Sequence, residues 1–103
     1  MNKKKSIFPK KVQVGGQEIR IIEENMCENG NSLGKSIPAS GIIKIYSTYG
    51  SGLKQSDSSK INTFYHELTH CILDTMGEYK LSRNEKFVTT FSGFLTEAMR
   101  SIK

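Results

Sequence analysis

Apolar and polar residues alternate over Lys11–Val14 and again over Gln17–Glu23, with Gly15-Gly16 between the two runs. A period of two on both sides of a Gly-Gly pair predicts a β-hairpin. Residues 24–40 lose the pattern. Asn, Ser and Gly dominate there and Pro38 interrupts, so the stretch reads as a long connection. Ile42-Ile43-Lys44-Ile45-Tyr46 is β-branched and half polar, which predicts a third strand. A second Gly/Ser-rich loop covers 47–57, and no segment repeats.

The period then changes to that of a helix. A helix is expected from a cap at Ser56, Asp57 or Ser58 to about Met76, where Gly77 stands ready to end it in the left-handed conformation. Ile61, Phe64, Tyr65, Leu68, Cys71, Ile72 and Met76 fall within one arc, and His66, Glu67, His70 and Asp74 lie opposite. The apolar arc must pack inward, which leaves the histidines facing a cleft. A second helix is expected from Ser82 onwards. Its apolar arc holds Phe87, Val88, Phe91, Phe94, Leu95, Ala98 and Ile102, and its small polar side holds Glu85, Thr89, Ser92 and Thr96. Strands first and helices second is α+β order, with a short, about three-stranded sheet.

Composition sets the scale. The chain has 103 residues, 36% hydrophobic and 24% charged, which fits a single small globular domain. No apolar run approaches the roughly 18 residues of a membrane span, and the basic start lacks the apolar stretch of a secretion signal. A cytoplasmic protein with no membrane partner is the expectation, and Cys27 and Cys71 are expected to be reduced thiols. Five of the 15 basic residues lie in residues 1–11, which hold no acid; the other ten balance the ten acids. Residues 1–11 therefore read as a basic flexible tail and residues 12–103 as the folded domain. A nucleic-acid accessory role would have to rest on that tail, through unspecific phosphate contact, and is not expected.

The chemistry sits in His66-Glu67-Leu68-Thr69-His70, an HExxH pattern. Histidines four apart project from one helical face on successive turns, so both imidazoles can reach one zinc ion. The Glu beside the first histidine points at the water such a metal would hold. These are the only two histidines of the chain. A catalytic zinc usually has three protein ligands, so the third must be Asp, Glu or Cys. Asp74 is ~6 Å further along the helix by its rise, and is better placed to accept a hydrogen bond from a ligand imidazole. Cys71 points into the apolar arc. Glu85 is the best candidate, in the first turn of a returning helix, but Ser82-Arg83-Asn84-Glu85 also fits a capping box, in which Glu85 would bond the cap backbone. Spacing alone leaves these two open.

The stretch His66 to Leu73, then Gly77, then Asn84-Glu85-Lys86-Phe87-Val88, resembles the compact zincin-like metallopeptidases. It is most similar to small phage-encoded proteins of the IrrE/ImmA type and to minigluzincins. The resemblance covers roughly residues 40–100. It implies a small zincin-like domain with one Zn²⁺ held by His66, His70 and Glu85, and Glu67 as general base. The implied activity is hydrolysis of peptide bonds in a peptide or protein substrate by water that zinc activates. It further implies that strand Ile42–Tyr46 is the edge to which an extended substrate adds. The tetrahedral intermediate needs another donor, and Tyr46, Tyr49, Tyr79 and Arg83 are the candidates, with spacing unable to choose. The alternative is a non-catalytic zinc-binding interaction protein on the same fold.

Overall fold

The hairpin forms where the alternation places it. The computed structural model describes residues 7–26 and 30–102, and pairs β1 (Lys11–Val14) antiparallel with β2 (Gln17–Glu24). Gly15 and Gly16 both take positive φ, 59° and 80°, the backbone that a tight two-residue turn needs. Gly15 has a second constraint: a Cβ there would lie 2.6 Å from Thr75 Cγ2.

The sheet differs from the expectation in one strand. Gly34–Ile37, inside the segment expected to be a connection, is strand β3, and it pairs antiparallel with β4 (Ile42–Tyr46). β4 runs parallel to β2, giving a four-stranded mixed sheet of order β1-β2-β4-β3. β4 is therefore interior, and β3 is the edge. The pattern missed β3 for a physical reason. Its inward positions are Gly34 and Ser36, because the strand passes too close to the helix for anything larger. A Cβ on Gly34 would meet Thr63 Cγ2 at 2.6 Å and the carbonyl oxygen of Lys44 at 2.9 Å. In the second loop, β5 (Thr48–Tyr49) and β6 (Leu53–Lys54) make a small separate hairpin.

Ile19, Ile21, Ile43 and Ile45 form the inner face of β2 and β4 and are buried with Val14, Phe64 and Cys71. Phe8 belongs to this core as well. It is buried and stacks on Phe64 with ring centroids 5.9 Å apart, while the carbonyl of Lys10 accepts a hydrogen bond from Ile21 N (2.8 Å). The expected tail of residues 1–11 is thus too long: an aromatic side chain at position 8 completes the core and draws residues 7–11 onto the sheet. Residues 1–6 and Cys27 lie outside the described residues. Among the described residues no helix is long and apolar enough to cross a membrane.

Helix α1 (Asp57–Met76) starts at Ser56, whose hydroxyl accepts from Ser59 N, and stops at Gly77 with φ 82°. Gln55, just before it, is buried and ties three elements together. Its Nε2 donates to the carbonyls of Tyr46 (2.5 Å) and Leu33 (3.4 Å), and its Oε1 accepts from Thr63 Oγ1 (2.6 Å) and Ser59 Oγ (2.8 Å). β4, the approach to β3 and the first turns of α1 are thereby held in one arrangement.

The second helical region is split. A single turn, α2 (Tyr79–Ser82), precedes α3 (Glu85–Ser101), so the long helix begins three residues later than expected. Asn84 is its cap, with Oδ1 accepting from Phe87 N at 3.1 Å. α3 packs on the side of α1 away from the sheet, and its orientation overturns the predicted apolar arc. Val88, Ser92 and Thr96 are its buried residues, and Thr96 Oγ1 donates to Asn62 Oδ1 of α1 at 3.2 Å. Phe91, Phe94 and Ile102 are exposed, as are Ile72 and Met76 of α1. With the small stripe inward, Thr96 meets Asn62 and Glu85 reaches the histidines.

Gln55→Leu is predicted to keep most of the side-chain volume but strand the Tyr46 carbonyl and the Thr63 hydroxyl inside the protein. The expected loss is about 2–4 kcal/mol, read as a lower urea midpoint at unchanged slope.

Candidate metal centre

His66 and His70 occupy successive turns of α1, with ring centroids 5.0 Å apart. The fold brings Glu85 to them. Because Asn84 does the capping, the Glu85 carboxylate is not engaged at the helix start. Its Oε1 lies 3.1 Å from His70 Nε2 and its Oε2 lies 3.5 Å from His66 Nε2. One ligand atom from each residue lies within 4.8 Å of the others, a grouping able to hold a metal ion. The donor set of two imidazoles and one carboxylate suits a borderline divalent metal.

Asp74 does not take the place expected of it. It is half-buried on the correct face, yet among the described residues it makes no hydrogen bond to either imidazole. One further turn along α1 carries it past His70, and α2 inserts Ser82 instead. Ser82 is buried, and its Oγ lies 3.0 Å from His70 Nδ1. Both ends of the supposed capping box, Ser82 and Glu85, therefore attend to the histidines.

Glu67 is 9% exposed, close under Gly34 of the edge strand. Burial, and then the nearby Glu85 carboxylate, push its pKa up to about 7 in the metal-free chain. His66 shifts down, chiefly through burial and then through His70, with Glu85 opposing.

A cleft of ≈ 260 Å³ opens beside these groups, lined by Asn31, Ser32, Leu33 and Gly34 on one wall and Asn62, Thr63, His66 and Glu67 on the other. None of Tyr46, Tyr49, Tyr79 or Arg83 lines it. The first wall escaped the sequence reading altogether. Residues 31–34 carry no periodicity, and the one signal available was a glycine in a polar stretch, too common to single out. Gly34 presents its backbone to the open side, since Leu33 uses its carbonyl to accept from Tyr46 N of β4. Ser32 Oγ bonds both Gly34 groups, donating to the carbonyl (2.5 Å) and accepting from the N–H (3.3 Å).

No protein-family model, curated protein or solved structure matches the chain.

The raised pKa of Glu67 gives a pH prediction with a definite sign. A carboxyl held above its ordinary value favours folding in its protonated form, so its contribution is complete below about pH 4.5 and is lost as pH rises through about 7. In chelator, Glu67→Gln should therefore be more stable than wild type at pH 8, by about 2–3 kcal/mol. The difference should shrink to nothing near pH 4 in paired denaturation curves.

Proposed function

We propose that this chain is a zinc-dependent peptidase of the compact, zincin-like type. One observation supports this most: an HExxH helix and the first residue of the following long helix converge on one point, beside a sheet edge. His66, His70 and Glu85 hold the metal. Zinc bound there supplies Lewis acidity towards a carbonyl oxygen and acidifies water.

The remaining roles fall to the chain's own side chains. Glu67 is not among the metal-holding residues but lines the same cleft, so it takes the proton of the attacking water and returns it to the leaving amine. An affinity near neutrality suits a group that must do both. The edge that would receive an extended peptide passes from β4, as expected from the sequence, to β3. Asn62 also lines the cleft, and since Thr96 engages its Oδ1, its amide N–H₂ is the donor on that wall.

A non-catalytic zinc-binding protein is the second reading, and one observation favours it. The backbone groups of Gly34 are already bonded to Ser32 Oγ, so a peptide must displace that hydroxyl to pair there.

Purified protein is predicted to hold about one zinc per chain, with His70→Ala losing most of it. Zinc-loaded Glu67→Gln should keep the metal and lose about 10²–10⁴-fold in the cleavage rate of a peptide selected from a broad library. Equal cleavage by the variant would remove the general-base role. Zinc binding with no cleavage by wild type would leave the scaffold reading in possession.

A further inference from the structure

We propose that Ser82 is a positioning residue for this centre: its buried hydroxyl holds the His70 ring by Nδ1, so that Nε2 faces the point that His66 and Glu85 also reach. The inference rests on reading His66, His70 and Glu85 as a metal centre.

Ser82 Oγ lies 3.0 Å from His70 Nδ1, while Glu85 Oε1 faces the other ring nitrogen, Nε2, at 3.1 Å. With Nδ1 tied to the α2 turn, the Nε2 edge of the ring is aimed at the point that His66 and Glu85 also reach. A ligand imidazole whose second nitrogen is engaged in this way keeps its orientation towards the metal position.

A hydroxyl can either donate to that nitrogen or accept from it, so the contact does not depend on which ring nitrogen carries the proton. Ser82 is also held in place for the task. It is 4% exposed, and its N–H donates to the carbonyl of Glu78 at 2.9 Å, fixing it within the turn of α2. Water has little access to substitute for the lost hydroxyl. His66 has no equivalent: among the described residues nothing bonds its Nδ1. The orientation of the pair is therefore set through His70, by the short α2 turn that also delivers α3.

The test combines ring nitrogen spectroscopy with zinc affinity. In zinc-loaded protein labelled with ¹⁵N at histidine, the Nδ1–H of His70 should be observed and protected from solvent exchange by its bond to Ser82 Oγ. By chelator competition, Ser82→Ala should weaken zinc binding about 10–100-fold. Ser82→Thr, which keeps the hydroxyl, should restore it. If Ser82→Ala fails to fold, the wild-type spectra and the threonine variant still decide. A loaded His70 whose Nδ1–H exchanges as fast as that of His66, or equal zinc affinity for wild type and Ser82→Ala, would overturn the assignment. Wild type that takes up no zinc at all would instead overturn the metal-centre reading beneath it.

Discussion

The roll of α1 about its own axis is fixed where Phe64 and Cys71 sink between the sheet isoleucines, and that roll decides where every reactive side chain points. With these two residues inward, Glu67 is pressed beneath the edge strand. His66 and His70 stand on the flank that α3 approaches, and Asn62 meets Thr96 on the far helix. A rotation of one residue, roughly 100°, would place a histidine in the core and a phenylalanine in the cleft. Gln55 reinforces the constraint from the N-terminal end, since its amide is shared between the Tyr46 carbonyl of β4, the Leu33 carbonyl just before β3 and two hydroxyls of α1.

What could be read from the sequence follows from which forces write themselves into residue order. The hairpin was legible because two adjacent glycines and a period of two admit little else. The bounds of α1 were legible because cap and stop residues act locally, Ser56 at one end and Gly77 at the other. The histidine pair was legible because helical spacing alone places both rings on one face. β3 was not legible, since its inward side chains are absent or small for the sake of Thr63, far along the chain in α1. Interior placement of β4 followed from β3 and was lost with it.

The polar side of α3 shows a different limit. Periodicity correctly divided this helix into an apolar arc and a small polar arc, but the inference that apolar means inward did not hold. Val88, Ser92 and Thr96 face α1, and three large apolar residues remain outside. The orientation that buries the small stripe is the one in which Glu85 reaches the histidines. The capping box misled similarly. Both Ser82 and Asn84 are acceptable caps, and only the turn geometry of α2 assigns the task to Asn84 and releases Ser82 towards His70.

The seam between α1 and α3 has a thermodynamic consequence. Its three buried residues are Val88, Ser92 and Thr96, so two of the three carry hydroxyls. The same helix carries Glu85, one of the three groups gathered at the candidate centre. Any ion bound there would tie α1 to α3 through side chains of both. Binding strength and helix docking are then two readings of a single equilibrium, and each rises or falls with the other.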